Sequence, residues 1–250
     1  MKIRVFESKR AMGIAAAQDA ATLLHSAVKK QGHARLMAAT GASQFDLFEA
    51  LTARTDVPWG EVSLFHLDEY FTLPAEHPAI LGRYLRERFI SKVNLGSFHL
   101  LDPVGDPEAE CKRVGRLLQE APIDVAFVGI GENGHVAFND PPADFETETP
   151  YKIVHLDMRC RRQQMSEGWF RSLDEVPKQA VSITVRQILK CRNILCVVPE
   201  ARKAQAVADT LHSQVSPQVP ASILKTHGAA TLYLDKESSS LLTEEDLLQS

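Results

Sequence analysis

A chain of 250 residues, 44% hydrophobic and 24% charged, has the makeup of a water-soluble globular protein and the length of one large α/β domain, 1–250. Its formal net charge of -4 gives no basic field for nucleic acid, so any phosphate has to be captured by local groups. No apolar stretch reaches membrane-spanning length and the start, Met1–Glu7, lacks a signal-peptide core, so no membrane partner and a cytoplasmic location are expected.

Taken in order, the apolar run Ala34–Ala39 reads as a strand, followed by a glycine turn, Thr40–Gly41–Ala42–Ser43–Gln44. Ser43 has the residue type of a helix N-cap, and the free amides of a first helical turn favour an anion. The turn is neither a Walker loop nor a dinucleotide fingerprint, so no nucleotide cofactor is expected. A second strand, Val62–Leu67, runs into His66–Leu67–Asp68–Glu69–Tyr70. Adjacent carboxylates repel, and partial burial would raise one pKa and leave a poised base, although an Asp-Glu pair at a strand end is often only a solvated loop. After Asp106–Pro107, Val114, Leu117 and Leu118 recur at helical spacing, and Ile123–Gly129 reads as a third strand.

The segment leaving that strand, Gly129–Ile130–Gly131–Glu132–Asn133–Gly134–His135–Val136–Ala137–Phe138–Asn139–Asp140–Pro141, is the main site candidate. Its glycines permit tight backbone, and it sets a histidine and an aspartate within six positions, a pair suited to acid–base work near neutral pH. Asn133 adds neutral hydrogen bonds without a titratable proton. A structural histidine bonded to a backbone carbonyl would fit the same glycine-rich turn. Further on, Arg159–Cys160–Arg161–Arg162 is a basic cluster for an anionic substrate or for surface ion pairs. Asn193–Val198 and Ala230–Leu234 read as strands, with Ala201, Ala204, Val207, Ala208 and Leu211 at helical spacing between them. Lys203, near the start of that helix, could complete an anion pocket with the Ser43 turn, or form a solvated basic pair with Arg202. The polar tail after Leu234 is expected to end in a loosely held helix. Cys111, Cys160, Cys191 and Cys196 show no zinc or Cys-x-x-Cys spacing and are expected as unpaired reduced thiols.

Strands alternating with helices over 34–234 predict a mostly parallel sheet with helices on both faces. In such a fold the carboxyl ends of the strands line one crevice, which would gather Thr40–Gln44, His66–Tyr70, Gly131–Asp140 and Pro199–Lys203.

These segments, in this order, resemble the glucosamine-6-phosphate deaminase (isomerase) family. The match runs through Thr40–Ser43, Leu67–Tyr70, Gly131–Pro141, Glu175–Lys178, Lys203 and Pro220–Ser222. The resemblance implies a Rossmann-like single-domain fold and cofactor-free conversion of an amino-sugar phosphate and water to a ketose phosphate and ammonia. It further implies that Asp68 is the base, and that His135 opens the sugar ring with help from Asn133 and Asp140. Thr40, Gly41, Ala42, Ser43, Glu69, Gly134 and Lys203 would bind the substrate and its phosphate, with Arg161 or Arg186 supplying a further positive charge. Many family members carry an acidic residue in place of Asn133, a glutamate in place of Asp140, and an arginine in an Asn-Ser-Arg context that has no counterpart near Gln164–Gly168. The related 6-phosphogluconolactonases usually have Gly-His-Thr-Ala, whereas Tyr70 and Gly134–Asn139 side with the deaminases. The same scaffold would also suit a galactosamine-6-phosphate isomerase or a non-catalytic sugar-phosphate sensor, and a homo-oligomer is among the assemblies such proteins adopt.

Overall fold

The computed structural model describes residues 1–102 and 104–248. Continuous apolar runs become its central strands: β1 (Lys2–Phe6), α1 (Lys9–Gln31), β2 (Ala34–Ala38), α2 (Phe45–Thr52) and β3 (Val62–His66) come first. They are followed by β4 (Asp68–Glu69), α3 (Leu81–Arg88), β5 (Ser97–His99), α4 (Pro107–Gln119) and β6 (Val125–Val128). The second half contributes β7 (Tyr151–His155), α5 (Met158–Ser166), β8 (Gln179–Ile183), α6 (Val185–Leu189), β9 (Ile194–Val198), α7 (Ala204–His212), β10 (Ala230–Asp235) and the exposed tail helix α8 (Glu244–Leu248).

Seven strands form one sheet in the order β1-β10-β9-β6-β2-β3-β5, and every pairing in it is parallel. Burial on both faces explains why β2, β6 and β9 lack a polar residue every second position. Alternate residues divide between two cores. Leu36 of β2 and Leu195 and Val197 of β9 join the side chains of α1 and α2, while Met37 and Ile194, Cys196 and Val198 pack toward α4 and α6. Some helix starts carry side-chain caps: Ser8 accepts from Ala11 N–H at α1, and Asp106, before Pro107, from Glu108 and Ala109 N–H at α4. No helix among the described residues is long and apolar enough to cross a membrane.

From β2 the chain steps outward to β3 and β5, then returns to β6 on the other side of β2. The strand order therefore reverses between β2 and β6, and a crevice opens beyond their carboxyl ends. A second, antiparallel sheet, β4-β8-β7, stands over that crevice. Leu67 alone separates β3 from β4, and its carbonyl accepts the Ile183 amide at 3.0 Å, so one segment belongs to both sheets.

Candidate active site

The cleft at this reversal spans about 740 Å³, open solvent at its mouth included, and is lined by residues from every expected segment, including Thr40–Ser43, Asp68, His135 and Lys203. After β2 the chain makes a single 3-10 turn, Ala42–Gln44, before α2. Gly41 occupies its cap position, while the Ser43 hydroxyl accepts from Gln44 Nε2 at 3.0 Å. Ser43 is therefore a lining residue of the turn and not the expected N-cap. Lys203 ends the turn Ala201–Lys203 that leads into α7, where it is only 5% exposed. Burial lowers its pKa to about 8, with Glu167, Glu132 and Glu200 pulling upward and Arg202 downward. No acceptor among the described residues binds its ammonium, which leaves it available to an anion.

Asp68 lies in β4, paired through its backbone with Ser182, so the carboxylate expected to serve as base is held by a strand where the sequence suggested a loop. No donor among the described residues reaches its carboxylate, and burial raises its pKa to about 7. The imidazole of His66 behind it is buried completely and pushed down to about 3, hence neutral.

His135 lines the same cleft from the glycine loop. Its ring lies flat on Gly131, where a Cβ would fall 2.2 Å from Cε1, so only glycine admits the histidine in this pose. Gly134 turns the chain at φ 84°. His135 Nδ1 is 2.9 Å from Asp140 Oδ1, and Nε2 has no partner among the described residues. Asp140 Oδ1 also accepts from Asn133 Nδ2 at 2.9 Å, and Oδ2 from the Asp157 amide at 2.8 Å. Burial pushes the Asp140 carboxyl up, but the contacts with His135, Asn133 and the Asp157 amide outweigh it and hold the group below the usual carboxylate range. The aspartate thus reaches the histidine despite its short side chain. Asn133 bonds Asp157 Oδ2 as well, and its own Oδ1 accepts the His135 amide at 3.1 Å. Asn133 and Asp140 both hold His135, through its amide and its ring, and neither is among the residues that line the cleft. Asp140, His135 and Cys160 offer ligand atoms within 4.8 Å of one another. Both oxygens of Asp140 are already engaged, so the cluster orients the imidazole. Burial pushes the Cys160 thiol well up, and all four cysteines are free and buried.

Four expected binding residues lie elsewhere. Glu69 faces away from the cleft and caps α3, accepting from Tyr70, Leu81 and Gly82 N–H at 2.8, 3.0 and 2.7 Å, and burial raises it to about 8 against those donors. Gly134 shapes the turn, its carbonyl accepting the Ala221 amide. Arg161 is buried and braces the loop after α5, donating to the carbonyls of Leu173 and Val176. Arg186 is held on the surface by Glu146 and Glu148 at 3.3 and 3.8 Å. Conversely, Gln163 and Glu167 line the cleft although the sequence does not mark them, because the face a polar residue presents depends on packing, and Glu200 and Arg202 line it from within the expected Pro199–Lys203 segment without having been singled out as binding residues.

The chain belongs to the glucosamine-6-phosphate isomerase/6-phosphogluconolactonase family, which it matches over residues 7–233. A glucosamine-6-phosphate deaminase from Halothermothrix orenii is 35% identical over 250 residues, covering 97% of this chain and all of that one. Another from Oenococcus oeni is 32% identical over 246 residues, covering 98% and 100%. Among solved structures, a monomeric glucosamine-6-phosphate deaminase superposes with a TM-score of 0.87 at 28% identity, over 97% of this chain and 100% of that one. The 6-phosphogluconolactonase of Thermotoga maritima shares the fold at a TM-score of 0.76 and 17% identity, over 94% of this chain and 98% of that one.

Proposed function

We propose that the protein deaminates D-glucosamine 6-phosphate with water, giving D-fructose 6-phosphate and ammonia. One observation carries the reading: one cleft is lined by an isolated carboxylate with a pKa near 7, a histidine fixed by an aspartate, and a buried lysine with no partner among the described residues. Full-length similarity to named deaminases supports it.

In this reading the phosphate sits against the Thr40–Ser43 turn and Lys203. His135 Nε2 takes the proton from the O1 hydroxyl and returns it to the ring oxygen, opening the ring to the aldehyde. Asp68 then removes the C2 proton, giving a C1–C2 enolamine, and delivers a proton to C1, giving a C2 imine. Water adds at C2 and ammonia leaves, so the ketone carries the oxygen of water. A single base serving adjacent carbons must alternate between its two protonation states, and a pKa near 7 lets it do so at little energetic cost. Lactone hydrolysis needs no such carbon base. The four unpaired thiols fit a reducing compartment such as the cytoplasm.

The test is ammonia and fructose 6-phosphate release from glucosamine 6-phosphate, run beside galactosamine 6-phosphate and 6-phosphogluconolactone. Lactone hydrolysis without ammonia release would overturn the reading. Tight phosphosugar binding without any turnover would favour a sensor instead. Light scattering on the eluting protein distinguishes a monomer from a homo-oligomer.

A further inference from the structure

Next to Lys203 the cleft wall carries a second cation, Arg202, enclosed by carboxylates. Its Nε is 2.8 Å from Glu200 Oε2, and its Nη1 is 3.4 Å from both Glu132 Oε1 and Glu167 Oε1. Nη2 has no partner among the described residues. The three glutamates come from separate places: the loop after β6, the residue following α5, and the residue before the Ala201–Lys203 turn. Glu167 is the most enclosed, its side chain 7% exposed.

Glu200 has φ 79° and ψ 143°, a backbone conformation that glycine adopts freely and other residues only under strain. Its amide donates to both oxygens of Asp235 at 3.2 Å, which fixes the segment in that state. A strained, side-chain-bearing residue in the cleft wall, with its carboxylate on the Arg202 guanidinium, holds that arginine in a defined pose.

Charge decides what the arrangement does. Three cations, with Lys9 Nζ 3.7 Å from Glu200 Oε1 counted beside Arg202 and Lys203, meet three carboxylates, so the wall by itself has no positive excess to draw a dianion. A phosphate monoester brings three acceptor oxygens, while Lys203 offers one point charge. A guanidinium offers a planar fork that grips two phosphate oxygens, but only after it leaves carboxylates that compete for the same N–H groups.

We propose that Arg202 is the second phosphate-binding cation of the cleft and that Glu167 is its competitor, a specificity-determining carboxylate that the phosphate must displace. The inference rests on the phosphosugar reading above and adds to it the way the site selects its anion. A dianionic phosphate ester outcompetes Glu167 for the fork, whereas a singly charged sugar acid or a neutral sugar does not. The site then admits phosphorylated sugars and excludes their unphosphorylated counterparts by more than the loss of one lysine contact.

Two readouts test this, steady-state ammonia release and calorimetric titration with inorganic phosphate. Arg202→Met should raise KM for glucosamine 6-phosphate at least about tenfold with kcat little changed, the scale of a lost charge-assisted pair, and should weaken phosphate binding alike. Arg202→Lys should recover only part of that loss, because it restores charge without the fork. Glu167→Gln should lower KM and tighten phosphate. Glu200→Gly should raise Tm by relieving the backbone yet raise KM; a purely structural Glu200 would raise Tm alone. Phosphate affinity and KM within twofold of wild type in both Arg202 variants would overturn the inference, as would a KM raised by Glu167→Gln. If wild type released no ammonia while phosphate affinity still fell on Arg202→Met, the deaminase reading would fail and the anion site would stand.

Discussion

Asp68 offers the sharpest prediction, because its proposed role and its burial pull protein stability in opposite directions. Burial raises its pKa from 3.8 to about 7 with no donor to compensate. The native state therefore holds a proton that the unfolded chain releases, and the associated stability is present below about pH 4 and lost as pH rises through about 7. Each pH unit in that window is worth about 1.4 kcal/mol. Between pH 5 and pH 8 wild type should lose roughly 3 kcal/mol that Asp68→Asn does not. At this chain length 1 kcal/mol moves Tm by about 2–4 °C, so the variant's Tm advantage should widen by roughly 6–12 °C from pH 5 to pH 8. Ammonia release should vanish in the same variant while inorganic phosphate still binds. In deuterated buffer, solvent label should enter C1 of product with wild type only. A Tm difference that stayed the same at both pH values would refute the burial argument, and near-normal turnover would refute the choice of base.

Other perturbations separate the remaining roles. Wild-type kcat/KM should fall as pH drops below about 7, where Asp68 becomes protonated, and KM should climb above about 8, where Lys203 loses its charge; a pH–rate profile reads both. Asp140→Asn removes the charge that orients His135 and should lower kcat by about 100-fold with KM little changed, by steady-state kinetics. Gly131→Ala places a methyl group inside the His135 ring and should reduce kcat more than about tenfold even if the protein stays folded by circular dichroism. Glu69→Ala strips the acceptor from two amides at the start of α3 and from the Tyr70 amide, and should reduce stability by about 1–3 kcal/mol in urea denaturation.

The parallel sheet was legible because strands covered on both faces spell continuous apolar runs, as Val125–Val128 and Ile194–Val198 do. β1 was hidden because its edge position exposes Lys2 and Arg4, leaving no apolar stretch. The small sheet was hidden for a related reason: Tyr151–His155 is only partly covered, and β4 has two residues, so neither carries a period to count. At the site, Asp68, His135, Ser43 and Lys203 were readable because each follows the carboxyl end of a recognisable strand. The arginines were not. Charge alone does not say whether a guanidinium braces a loop, as in Arg161, meets surface glutamates, as in Arg186, or faces the cleft, as in Arg202.

The single residue between β3 and β4 has a thermal consequence. Asp68 is registered against Ser182 in a sheet whose contributing strand is two residues long, while the adjoining β3 is locked into the seven-stranded sheet. Short pairings of this kind open at lower free energy than a central strand does. On warming, the base should lose its register before the main sheet melts, so inactivation should precede global unfolding. Amide exchange at Ile183, whose N–H is held by Leu67, should accelerate in step with that early loss of activity, while the amides of β6 stay protected.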